Sequence, residues 1–190
     1  MWNLIIFILI VLSISILGAL VVGYYLNLAK LKSRLTRTLY NIYEELNIKA
    51  DIMGKLLENF EFKSEYENEM YQSIDMLSNA ENLNEQAIAN ARMSNSLEVL
   101  FTRAKESNKD KKFLKLVDEL KKTEELLNHY DDSYNDTVYI YNHKLQVFPS
   151  KWVANYFGFK NAEYFMVEET NKGLDQDLNQ IHQEEHPTKQ

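Results

Sequence analysis

FLKLVDELKKTEELLNHYDDSYNDTVYIYNHKLQVFP, residues 113–149, is the stretch whose pattern decides the fold. Phe113, Leu116, Leu120, Leu127, Tyr134, Val138, Tyr141, Leu145 and Phe148 recur at a spacing averaging near 3.5 residues, which places them as one apolar stripe on a long helix. No glycine or proline interrupts the run before Pro149. Proline has no amide proton to give a helix, and its ring strikes the preceding turn, so Pro149 predicts the stop. One helix cannot bury such a stripe alone, so its partners must lie elsewhere in the chain.

The partners lie upstream. Between Tyr24 and Phe148 there is no proline, and Gly54 is the only glycine. Strands joined by tight turns need far more of both. Leu28, Leu31, Leu35, Leu39, Ile42, Leu46, Ala50, Met53, Leu57 and Phe60 form a second stripe, three or four residues apart. Phe60 to Ser64 reads as a reversal, with Ser64 and Glu67 as a capping box for a helix carrying Met70, Ile74 and Leu77. Asn82 and Glu85 repeat that signature ahead of Leu83, Ala87, Ala91, Leu97, Phe101 and Ala104. Lys105 to Lys112 is polar and aperiodic, a loop. Four helices with short links predict an all-α, antiparallel bundle of up-down-up-down topology. A short aromatic segment, Lys151 to Phe165, follows it.

The first helix starts long before its stripe. Met1 to Leu28 carries no charged side chain, and Leu4 to Val22 is almost wholly apolar. Roughly 20 such residues cross a hydrocarbon layer about 30 Å thick. A cleaved signal would begin with basic residues, carry a shorter apolar stretch and end at a small-x-small site, whereas here no Lys or Arg precedes Leu4, the apolar stretch is long and Gly18-Ala19 is a poor match. Residues 1–28 are therefore expected to be a retained transmembrane anchor in contact with the bilayer. Residues 29–167 are expected to form the helical-bundle domain, and 168–190 a disordered acidic tail. Lys30, Lys32, Arg34 and Arg37 follow the span, with no acid before Glu44. Positive flanks stay cytoplasmic. The expected arrangement is a single pass in a bacterial cytoplasmic membrane, N-terminus outside and bundle inside.

Composition removes several function classes. The formal net charge is −7, from 21 Lys and Arg against 28 Asp and Glu. Nucleic-acid binding needs basic surface, so no nucleic-acid partner is expected. With no cysteine, disulfides, thiol nucleophiles and cysteine-held metals are excluded. His182 to His186 spells H-x-x-E-H, but Pro187 follows at once and the chain runs out four residues later, at Gln190. No histidine has a glutamate three residues before it, as a carboxylate-bridged metal bundle needs. His129 and His143 lack matching acids, and Asp131, Asp132 and Asp136 lie on a continuous helix rather than in a cation-binding loop. No catalytic residue, metal ligand or cofactor is expected.

Two features leave alternatives open. Lys49, Glu124 and Asp131 fall on or near the apolar stripes. If the first and last helices run antiparallel, Lys49 comes within about one turn of Glu124. They form a buried polar pair, or they are flank residues whose long stems let the charges reach water. The aromatic segment 151–165 either caps the bundle or meets the bilayer, where Trp and Tyr are favoured and Lys151 and Lys160 would suit anionic headgroups.

The last helix also repeats a pair every seven residues: Leu127-Asn128, Tyr134-Asn135, Tyr141-Asn142 and Phe148-Pro149. The large member of each pair is placed on the seam, and the asparagine beside it can fix register. Ala154, Phe157-Gly158-Phe159 and Tyr164-Phe165 follow. This run resembles the signature of the LemA family of bacterial, membrane-anchored helical-bundle proteins, over about Lys111 to Glu168. The family-motif residues here are Tyr134, Asn135, Tyr141, Asn142, Phe148, Pro149, Ala154, Phe157, Gly158 and Phe159. The chain departs from the family pattern at Gly54, where asparagine is usual, and at Asp131, where arginine is usual. The resemblance implies the anchored helical fold but supplies no reaction. The expected function is a non-enzymatic, membrane-anchored scaffold or protein-interaction protein, with an unidentified protein partner or self-association. An oligomeric, membrane-organising or lipid-contacting role is the alternative, and a metal-binding or enzymatic bundle comes third.

Overall fold

The computed structural model describes residues 1–62, 64–106 and 110–166. Five helices account for most of them, and no strand occurs among the described residues. They are α1 (Trp2–Asn59), α2 (Ser64–Ser78), α3 (Leu83–Glu106), α4 (Lys111–Gln146) and α5 (Ser150–Phe157). The expected tail, 168–190, and its H-x-x-E-H run lie outside the described residues, as does the side chain of Ser64 with its expected capping box.

α1 is a single helix of 58 residues, and its character changes along its length. From Met1 to Leu20 every residue is exposed. From Leu28 onward a buried row appears: Leu28, Leu35, Ile42, Leu46, Met53 and Leu57. The change coincides with the first charged residues, because only an amphipathic stretch can turn one face inward and keep the other in water. On α4 the buried row is Phe113, Leu120, Leu127, Tyr134, Val138, Tyr141 and Leu145.

Phe148 breaks the row and corrects the sequence reading. It is 72% exposed, whereas Tyr141, one heptad earlier, is 1% exposed. α4 ends at Gln146, so Phe148 no longer follows the helical phase that would have carried it to the seam. The stop itself falls just before Pro149, which has no amide proton to continue the ladder.

α3 begins with a side-chain cap. The backbone N–H of Glu85 donates to Asn82 Oδ1 at 2.9 Å, and the Glu85 carboxylate accepts from the Glu81 N–H at 2.7 Å. The first bond satisfies one of the four amides that a helix start leaves unpaired, and the second ties down the residue before the cap.

The helices contribute to two compact units. One comprises Met1–Leu39 with Ser133–Ala162, and the other Tyr40–Asp132 with the described residues from Glu163. The grouping crosses the expected division at residue 28, since the exit of the apolar segment shares a unit with the end of α4 and with α5. In the second unit α2 packs on α3, with Met70 and Ser73 of α2 and Ala87, Ala89, Met93 and Leu97 of α3 buried.

Candidate functional site

Asn142 stands at the centre of the first unit. Its side-chain amide donates to the Ala162 carbonyl at 2.9 Å and accepts from the Ala162 N–H at the same distance. A carboxamide matches a peptide group donor for acceptor, so one side chain closes both hydrogen bonds of a residue that lies outside any helix. The third asparagine of the repeated pair therefore holds the returning chain against α4. Asn135, one heptad earlier, is half-buried.

The turn that brings Ala162 back depends on Gly158. α5 ends there with φ of +70°, and the Phe159 N–H donates to the Ala154 carbonyl at 2.9 Å. This six-to-one bond closes a helix through a left-handed residue, a conformation glycine adopts without the Cβ clash other residues meet. The flanking phenylalanines then reach the same residue of α1. The Tyr25 ring lies 4.7 Å from the Phe157 ring and 5.7 Å from that of Phe159, and Lys32 Nζ lies 6.0 Å from the Phe159 ring centre. Ala154, within α5, is buried.

A groove of about 510 Å³ opens between these parts, lined by Lys32, Leu35, Tyr134, Tyr141, Lys160 and Ala162 among others. Burial pushes the Tyr141 phenol above its ordinary value. The groove gathers several family-motif residues, and its charged lining consists of two lysines. Of the expected membrane-flank residues, Lys30, Lys32, Arg34 and Arg37 are exposed, and Arg34 donates to Ser133 Oγ at 3.2 Å.

The second unit holds a different polar site. Lys49 is fully buried, and its Nζ sits 2.6 Å from Glu124 Oε2. The ammonium also donates to Asn90 Oδ1 at 2.7 Å and to Ser94 Oγ at 2.8 Å. Ser94 in turn donates to Glu124 Oε1 at 2.5 Å. One lysine on α1, one glutamate on α4 and two small polar residues on α3 thus form a closed cluster. Desolvation dominates over the attraction of Glu124, so the Lys49 pKa lies below its ordinary value of 10.5. Lys112 Nζ also donates to Asn59 Oδ1 in this unit, and Phe60 meets Phe113 edge-on at 5.1 Å.

Asn90 and Ser94 escaped the sequence reading. The signal was present, because Leu83, Ala87, Asn90, Ser94 and Leu97 share one helical phase with two small polar residues inside it. Among the described residues, no group of three or more His, Cys, Asp or Glu side chains could hold a metal ion.

Comparison with known proteins adds one finding. The family model described as the LemA family matches residues 38–176, well over half of the chain. The match reaches beyond the resemblance read over Lys111 to Glu168 and takes in most of the second stripe on α1. No curated protein matches.

Proposed function

This chain belongs to the LemA family, and we propose that it is a single-pass, non-enzymatic scaffold of a bacterial cytoplasmic membrane, its helical domain projecting into the cytoplasm. The observation that carries the reading is α1. Its first twenty residues are apolar and unburied, and the same helix continues, without a break, into residues that are buried. In water such a surface would be far larger than the apolar patches soluble proteins expose. In a bilayer the same helix satisfies its own backbone and needs no other cover.

The domain is read as an antiparallel bundle. Within the second unit, Lys49 and Asn59 of α1 meet Glu124 and Lys112 of α4, so α4 positions fall as α1 positions rise. A bundle of this kind presents long, polar, rigid helix faces, which suits binding other proteins or further copies of itself better than turning over a small molecule.

Crosslinking capture from native membranes tests the reading. Full-length chain should remain in the membrane through an alkaline carbonate wash and crosslink reproducibly to a specific protein or to itself. Release by carbonate would contradict the anchor, and a retained chain without any specific crosslink would contradict the scaffold.

A further inference from the structure

α5 leaves its aromatic side chains outside. Ser150, Val153 and Ala154 are buried, whereas Trp152 is 72% and Tyr156 84% exposed. Phe148, also exposed, packs edge-on against Trp152 at 5.3 Å, and Tyr156 packs against Phe157 at 5.0 Å. Phe148, Trp152 and Tyr156 are spaced by four residues and make one aromatic row. Single exposed apolar residues are ordinary on a protein surface, but a contiguous row is not.

The level of that row is fixed by α1. Leu4 to Val22 spans about 28 Å at 1.5 Å per residue, the thickness of the hydrocarbon layer, so Gly23 to Leu28 falls in the headgroup layer. Both ends of α5 lie beside this stretch. Ser150 lines a small cavity with Leu20, Gly23, Tyr24 and Asn27, and Phe157 packs on Tyr25. A helix with both ends beside that stretch cannot stand clear of the bilayer surface.

Charge points to the same partner. The unit made of Met1–Leu39 and Ser133–Ala162 carries seven Lys and Arg side chains and one acid, Asp136, in a chain whose net charge is −7. Lys151 and Lys160, on and just after α5, are exposed. Basic residues beside an anionic leaflet are attracted to it.

Resting on the anchored reading of α1, we propose that α5 lies in the headgroup layer of the membrane that α1 crosses, with Phe148, Trp152 and Tyr156 inserted among the lipids and the lysines on anionic phosphates. Tryptophan and tyrosine favour this layer because an apolar ring and a polar edge are both accommodated there. The chain would then touch its membrane twice, by a span and by a helix lying on the surface.

The two tryptophans, Trp2 and Trp152, allow a clean test. Full-length Trp2→Phe protein is reconstituted into vesicles of phosphatidylcholine and phosphatidylglycerol containing lipids brominated at shallow or deep acyl positions. Trp152 emission should be blue-shifted relative to water, and the shallow bromines should quench it more than the deep ones. Red emission quenched by aqueous acrylamide and untouched by either lipid would overturn the proposal. Trp152→Phe protein reads the anchor separately through Trp2. If the lipids quench Trp2 but leave Trp152 untouched, α5 stands off the membrane while the anchor holds. If neither is quenched, the anchored reading fails and this proposal with it. Replacing both Lys151 and Lys160 by Glu should reduce Trp152 quenching in the anionic vesicles, and unchanged quenching would remove the electrostatic part of the proposal.

Discussion

Lys49 and Asn142 are both polar side chains set among apolar stripes, yet they are satisfied in different ways. Lys49 is charged and meets other side chains, a carboxylate, a carboxamide and a hydroxyl, all on helices. Asn142 is neutral and meets only backbone, on a segment with no helix of its own. The first arrangement takes an ion pair largely out of water, which costs desolvation and returns specificity only if every partner is present. The second adds no charge and uses one side chain to pin the returning chain at Ala162. A helix-to-helix contact can be assembled from side chains alone, whereas a loop must have its own peptide groups satisfied.

The largest effect should come from the seam beside Asn142. Tyr141→Ala removes a buried ring and should lower stability by about 3–5 kcal/mol, read as a denaturant midpoint by circular dichroism in detergent. Tyr134→Ala should behave similarly. A wild-type midpoint for either would mean that α4 turns another face inward.

Next comes the charged cluster. Glu124→Gln alone leaves a buried ammonium without its counter-ion and should cost on the order of 1–3 kcal/mol. Adding Lys49→Met should recover part of that loss. A double-mutant cycle with no coupling energy would place both charges in water and erase the contrast with Asn142.

The neutral site should respond to charge in the opposite sense. Asn142→Asp keeps an acceptor for the Ala162 N–H but loses the donor to the Ala162 carbonyl, so a loss of about 1–3 kcal/mol is expected. It should also loosen the segment after α5, seen as faster amide exchange at Phe159 to Ala162. Unchanged exchange there would show that the segment is held by something else.

Legibility in the sequence followed the same line. The helices and the end of α4 could be read because a 3.6-residue period and a lone proline are strong, local signals. Lys49 and Glu124 stand out by phase, being charges where the stripe calls for apolar residues. Asn90 and Ser94 do not, since α3 is rich in alanine and a small polar residue hardly disturbs so weak a stripe. Asn142 stands out as a motif, but its role could not be read, because its partner is the backbone of Ala162, which leaves no trace in residue type. Phe148 misled because the heptad phase was carried two residues past the last helical turn. The eight-residue helix α5 was visible only as aromatic density, being too short to establish a period.

The smallest expected effect is a pH dependence confined to the charged site. The Lys49 pKa is lowered by burial below 10.5, so between its native value and 10.5 the unfolded chain binds more protons than the folded one. Stability due to this group therefore rises with pH across that window. The difference in stability between wild type and Lys49→Met should shift in favour of wild type as pH rises through it, while other titrating groups cancel. A difference that is flat with pH would mean that the Lys49 pKa is not lowered.

The central claim, that α1 threads a membrane and leaves the helical domain on the basic side, is tested most directly by labelling. The chain has no cysteine, so a single one can be placed at will. In intact cells a membrane-impermeant maleimide should label Asn3→Cys and leave Thr188→Cys untouched until the membrane is opened. Labelling of Thr188→Cys in intact cells, or equal access to both positions, would contradict the account.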